Sequence, residues 1–299
     1  MALKLNAPHE YIRIDGLEIP FYKEFDGRNV EQMPKLIVGG RVPMSVAQLM
    51  QRKLAFRNGP ADVKTAWMDN YFDTSDLKGQ KGNEIKLVLT TYADGSITPL
   101  GKKYLGLINP DEELINGAVN LGVDGRYEGL QGEGVMVTKK SKLAAVVDSW
   151  LTEQQAKDSL FWRILNRHPD EVPKELAIPG LHEEVIPYIF SECKQRFDYD
   201  KAMGVFPGSC NGDAPELRAV CVSGLDNRSV AYGGVDLGNG SGRLVGLAPE
   251  ALVAKNAGAS AVQKYTMADV QTANEQLEAL AKFVRPESVD RVRSLLEKL

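Results

Sequence analysis

Cysteine is scarce: Cys193, Cys210 and Cys221 are the three in 299 residues. An odd, small number in so long a chain is no disulfide framework, and no Cys-x-x-Cys pair offers a zinc knuckle. Histidine is equally scarce. His9, His168 and His182 share no helical turn, so a histidine-built metal site is disfavoured. A carboxylate site for a hard cation around Asp198 and Asp200 lacks the calcium-loop pattern. No apolar run approaches the roughly 18 residues that cross a bilayer. The opening residues, Met1 to Pro8, are too short and broken for a signal peptide. A basic excess is missing too: 36 Lys+Arg stand against 40 Asp+Glu, for a net charge of -4. Nucleic acid is thereby disfavoured as a partner, since duplex binding leaves a basic stripe. Repeats, low-complexity tracts and a Gly-x-Ser-x-Gly elbow are also missing. These absences lead to an expectation of a cytoplasmic, soluble protein with reduced thiols, and they name no function and no cofactor.

What is present is an ordinary globular composition, 43% hydrophobic and 25% charged. It predicts an α+β fold: antiparallel strands and hairpins with helices segregated in sequence. One compact unit over residues 1–299 is expected, softly divided into a strand-rich part (1–140) and a part with helices and a Gly-rich sheet segment (141–299).

Local patterns are informative. Asp15-Gly16 suits a two-residue hairpin turn, pairing Ile14 with Leu17, Ile12 with Ile19, and Arg13 with Glu18. Met44 to Arg57 reads as a helix capped by Ser45 and stopped near Asn58-Gly59. Glu84 to Tyr92 reads as a central strand, because Ile85, Leu87 and Leu89 alternate while Val88 makes the other face apolar too. Asp94-Gly95 turns the chain back. Residues 101–138 read as strands and turns, and Lys142 to Trp150 as a helix. Thr152-Glu153-Gln154-Gln155 forms a capping box that opens a helix running to about Arg167. Leu181 to Phe197 is a further helix containing Pro187. Two helices close the chain, and Val289, Val292, Leu295, Leu296 and Leu299 form an apolar stripe that suits core packing or a partner helix.

Residues 217–252 read as a three-stranded antiparallel meander: Leu217 to Ser223, Ser229 to Asp236 and Gly242 to Ala248, followed by a helix from Pro249. Its second turn would set Asp236 opposite Arg243 and Gly233 opposite Gly246, leaving a bare patch on which a helix or a ligand packs. Gly238-Asn239-Gly240-Ser241-Gly242 is not a phosphate loop, because a strand follows it rather than a helix. The same register brings Asp226, Asn227 and Arg228 to the start of the Pro249 helix. An arginine, an amide and free helix amides suit an anion, so Asn227 and Arg228 are the candidate ligand-binding residues. Asp226 and Glu250 are the candidate acid and base, on condition that burial raises a pKa.

Other groups carry weaker signals. Cys210, in a Pro-Gly-Ser-Cys-Asn-Gly loop, would be a nucleophile if the fold brought His182 to it, and is otherwise an inert thiol. Trp67, Tyr71 and Phe72, with Asp69, Asn70 and Asp73, either edge the core or line a sugar or base pocket. Two functions are expected: an enzyme or binding protein for a small anionic ligand, or a non-catalytic interaction protein that forms homo-oligomers.

Overall fold

The computed structural model describes residues 2–14, 17–210 and 214–248. The chain divides into two units, Met1–Pro249 and Glu250–Leu299. The closing helices with their apolar stripe, the helix from Pro249 and the candidate residue Glu250 lie outside the described residues.

Strands β1 (Tyr11–Ile14) and β2 (Leu17–Pro20) come first, then β3 (Tyr22–Asp26), α1 (Asn29–Val38) and β4 (Val42–Pro43). Next are α2 (Val46–Ala55), α3 (Ala61–Met68), β5 (Phe72–Lys81), β6 (Glu84–Val88) and α4 (Pro99–Leu105). After β7 (Leu114–Ile115), β8 (Ala118–Asn120), β9 (Val135–Lys139) and β10 (Ser149–Leu151) come α5 (Glu153–Lys157), α6 (Leu160–Leu165) and α7 (Leu181–Phe197). Strands β11 (Ala202–Phe206), β12 (Glu216–Val222), β13 (Ala231–Tyr232) and β14 (Arg243–Leu247) complete the described elements.

The fold is α+β, with one mixed sheet in the order β10-β11-β13-β12-β5-β14-β3 and a separate β1-β2 hairpin. Both faces of the sheet are covered, and strand alternation explains how. On β12, Val220 and Val222 enter one core with Trp67 of α3, Phe161 of α6 and Val185 of α7. Leu217 and Ala219 enter a second core with Met33 and Leu36 of α1 and Tyr104 of α4. Strand β5, before residue 141, pairs with β12, after it.

Several local expectations are realised. The hairpin register is Ile12↔Ile19, Arg13↔Glu18 and Ile14↔Leu17. Its apolar face is graded, since Ile12 is buried while Leu17 is exposed. Ser45 caps α2 in a full capping box with Gln48. Strand β6 is central, lying between β5 and β9. Helix α7 is continuous through Pro187.

Others are corrected. The helices are spread more evenly along the sequence than expected, since α1, α3 and α4 fall in the first half. Thr98 caps α4 with Pro99 in its first turn, a start signal that a reading of 101–138 as strands and turns passes over. The helix expected over Lys142 to Trp150 is instead a short 3-10 turn and strand β10. The Leu143 carbonyl accepts from Ser159 Oγ and from the Phe161 amide, which ties it to α6 rather than to a helix of its own. The helix from Thr152 breaks at Asp158, and Ser159 caps α6 as a new start.

The largest correction concerns the meander. Its first two strands pair as expected, β12 with β13, but β13 is only two residues long. Strand β14 does not return beside β13. It runs parallel to β5 and antiparallel to β3 and β4. Because β5 is antiparallel to β12, β14 runs opposite to the direction a meander requires. Arg243 therefore meets Asp26 at 2.9 Å and Glu24 at 3.0 Å instead of Asp236. The two glycines are not opposed. Gly246 is covered by Leu36 and Arg41, and Gly233 by Pro207 and Lys78. The Gly238–Gly242 run is indeed followed by a strand.

Candidate functional site

The reversal of β14 decides where the site lies. Its start, not its end, shares an end of the sheet with the Asp226 turn, while Ala248 bonds to Phe21 at the far end. The expected meeting of residues 226–228 with Ala248 does not occur.

A cavity of about 770 Å³ opens at that sheet end. A turn, four strands and a loop form it. The turn after α3 supplies Asp69, Asn70 and Tyr71. Strands β10 to β13 supply Trp150, Phe206, Cys221 and Tyr232. The β12–β13 loop supplies Ser223, Gly224, Asp226, Asn227 and Val230. Three exposed rings meet here: Tyr71 at 37%, Trp150 at 41% and Tyr232 at 43% accessible. A second cavity of about 300 Å³ shares Tyr71, Cys221 and Tyr232 with the first, and Asp73 and Asp236 line it.

The β12–β13 loop is held from several sides. Ser223 N bonds the Val230 carbonyl, Val230 N returns to Ser223 Oγ, and Leu225 N reaches the Met68 carbonyl. Arg228 and Ser229 both have left-handed backbones, φ 58° and 51°, a costly pair for side-chain-bearing residues. Gly224 permits the close approach to α3, since a Cβ there would lie 2.5 Å from the Asp69 carbonyl oxygen.

A belt of stacked groups forms one wall. The Arg228 guanidinium lies 4.1 Å from the Trp150 ring and 4.1 Å from the Tyr199 ring. Tyr199 stacks on Phe197 with ring centres 5.4 Å apart. Arg196 sits over Phe197 and pairs with Asp69 at 2.6 Å, which returns the belt to the cavity. On the other side, Tyr71 donates its hydroxyl to the Ser241 carbonyl, and the Arg243 guanidinium lies 5.1 Å from its ring.

Of the predicted site residues, Asp226 and Asn227 line the cavity and Arg228 braces its wall. Asp226 is exposed and caps the Asn227 amide at 2.8 Å, so the burial that an acid–base role requires is absent there. The aromatic group divides. Trp67 and Phe72 are core residues, while Tyr71, Asp69 and Asn70 line the cavity. Reading Trp67, Tyr71 and Phe72 as one edge missed that Tyr71 follows the end of α3. Trp150, Phe206 and Tyr232 were not foreseen, because they come from three strands that meet only in the fold.

The cavity floor is chemically quiet. Burial pushes the Cys221 thiol well above its ordinary range, helped by the Asp73 carboxylate beside it. Burial raises Cys210 also and takes Cys193 to about 11. All three thiols are therefore protonated at neutral pH, unlike thiol nucleophiles. His182 bonds the Lys157 carbonyl and approaches Asn166, whereas Cys210 contacts the Gln80 and Ala214 carbonyls. Lys194 occupies both carboxylates of the Asp198 and Asp200 pair, at 2.5 Å and 2.9 Å. Among the described residues no group of His, Cys, Asp and Glu is arranged to hold a metal ion, and no helix is long and apolar enough to cross a membrane.

No protein-family model matches the chain, and no curated protein matches it. The chain is similar to a solved structure described as "Accommodation of massive sequence variation in Nanoarchaeota by the C-type lectin fold". The identity is 18% and the TM-score 0.48, over 76% of this chain and 97% of that one. A likeness of that extent assigns neither a family nor a function.

Proposed function

We propose that the protein binds a small ring-bearing molecule in the 770 Å³ cavity. The convergence of Tyr71, Trp150 and Tyr232 carries this reading, since these exposed rings all line one concavity. Leaving such a ring partly in water forgoes on the order of 1 kcal/mol of burial. A ligand that covers the three recovers it. Asp69, Asn70, Ser223, Asp226 and Asn227 supply polar groups around the rings, the usual composition of a small-molecule site.

Tryptophan emission tests the reading directly. Trp67 and Trp162 are fully buried, so a water-borne quencher such as acrylamide reports on Trp150. A set of planar aromatic and sugar compounds is screened by ligand-observed NMR, and hits are titrated against quenching. The expected hits shield Trp150 and lose affinity in Trp150→Ala and Tyr232→Ala, both of which keep the native melting temperature. A set in which nothing shields Trp150, or hits that bind both variants unchanged, overturns it.

A further inference from the structure

We infer that the ligand is an anionic planar ring whose charge is held at the edge of the Arg228 guanidinium. The inference rests on the binding reading above and names the class of ligand.

Arg228 is a half-buried cation whose guanidinium lies over two aromatic rings, Trp150 and Tyr199, both at 4.1 Å. No carboxylate lies within ion-pair distance of it among the described residues. Its N–H donors make no hydrogen bond to another described residue. An in-plane edge is the geometry in which a guanidinium takes a carboxylate or phosphate. Asn227 and Trp150, its neighbours in sequence and space, both line the cavity.

A second cation stands behind the same loop. Lys53 is fully buried, and its ammonium meets Ser229 Oγ at 3.3 Å without a carboxylate in ion-pair range among the described residues. Two acids line the same cavity: Asp69 pairs with Arg196 through one carboxylate oxygen, its other oxygen being buried with no hydrogen-bond partner among the described residues, and Asp226 accepts the Asn227 amide. Asp73 and Asp236 belong to the smaller adjoining cavity.

The rings agree with the charges. A guanidinium against Trp150 and another 5.1 Å from the Tyr71 centre draw on the negative π clouds of these platforms. The remaining faces are poorer seats for a cationic ligand and better ones for an electron-rich ring.

Four probes of one shape test this: benzoate and phenyl phosphate as anions, benzamide as neutral, benzamidine as cation. Each is titrated against the full chain by acrylamide quenching of Trp150 and by calorimetry. Both anions should bind about tenfold more tightly than benzamide, the worth of one charge-assisted hydrogen bond. Benzamidine should bind most weakly. Higher ionic strength should narrow the gap between benzoate and benzamide. Arg228→Gln should abolish the anion preference, so that benzoate and phenyl phosphate bind no more tightly than benzamide, whatever happens to the affinity the three share. Should Arg228→Gln fail to fold, the preference and salt response of the wild type decide. Equal shielding by benzoate, benzamide and benzamidine overturns the charge assignment and leaves the binding reading standing. No shielding by any of the four, together with an empty wider screen, overturns both.

Discussion

The carboxylate of Asp73 accepts the backbone amide of Arg243 at 3.0 Å, a bond that spans 170 residues of sequence. The same oxygen accepts Asn29 Nδ2 at 3.0 Å. One buried side chain thus joins α1, β5 and the first residue of β14, where Leu244 pairs with Asp73 in parallel. This knot, beneath the smaller cavity, is the local reason that β14 lies beside β5 and not beside β13.

Asp73→Asn should keep the knot and lose a pH dependence. Burial raises the Asp73 pKa above that of an exposed aspartate. The folded state therefore holds its proton to higher pH than the unfolded state does. Stability falls as pH rises from the unfolded pKa, about 4, to the raised folded value, and the loss is complete above it. The asparagine oxygen can accept both amide donors with no charge to bury. Urea melts at acid and neutral pH should show the variant losing less stability than the wild type across that window. Equal losses in the two proteins would mean that burial does not hold the Asp73 proton.

Much of the local structure was legible in the sequence, and the long-range pairing was not. The β1-β2 register and the Ser45 cap follow from residues within four or five positions of one another. The bounds of α7 follow in the same way from its local apolar spacing. The place of β14 depends on Asp73 and Asp26, far back in the chain, which no local pattern encodes. The site divided along the same line. Asp226, Asn227 and Arg228 were legible because a turn announces itself. Of the rings around the cavity, Tyr71 was a candidate from the sequence, while Trp150, Phe206 and Tyr232 come from β10, β11 and β13, whose adjacency is a property of topology.

Arg52→Ala should be among the most damaging substitutions. Arg52 is buried and reaches Glu10 at 2.5 Å and 2.6 Å and the Leu5 carbonyl at 2.8 Å. Its guanidinium also packs on Tyr22 and Phe56 at 4.1 Å and 3.7 Å. Removing it strands the largely buried Glu10 carboxylate, which typically costs about 3–5 kcal/mol. The double variant Arg52→Met, Glu10→Gln should recover part of the loss by burying no unpaired charge. Proteolysis should cut the segment before β1 first in Arg52→Ala. A melting temperature unchanged by Arg52→Ala would show that the clasp is idle.

Lys53→Met should stabilise the protein at neutral pH. Burial lowers the Lys53 pKa to about 8, and its neighbours are Ser229, Cys193, Cys221 and Asp69. The unfolded lysine titrates near 10.4. Between these values the unfolded state binds more protons, so the wild type gains stability as pH rises through that window. Below it the full penalty stands, on the order of 3 kcal/mol for such a shift. Methionine fills a similar volume without charge. The difference between the two proteins should therefore be largest at pH 7 and shrink toward pH 10. A variant less stable than wild type at pH 7 would mean that the Ser229 contact outweighs desolvation.

The glycines around the site should divide by what a methyl group would meet. At Gly224 a Cβ would stand 2.5 Å from the Asp69 carbonyl oxygen and 2.8 Å from Asp226 Oδ1. At Gly242 it would stand 2.4 Å from the Gly27 carbonyl oxygen. Backbone atoms cannot swing aside as a side-chain tip can, so either alanine must displace a chain segment, at about 1–3 kcal/mol. At Gly240, in the same Gly-rich run as Gly242, nothing lies within 4 Å. Gly240→Ala should leave the melting temperature unchanged, while Gly224→Ala and Gly242→Ala should lower it by several degrees. Gly224→Ala should also move the cavity wall and alter the quenching of Trp150, whereas Gly242→Ala should act through the β14 start. If Gly240→Ala proved the most damaging of the three, the contacts a Cβ would meet would not be what sets the order.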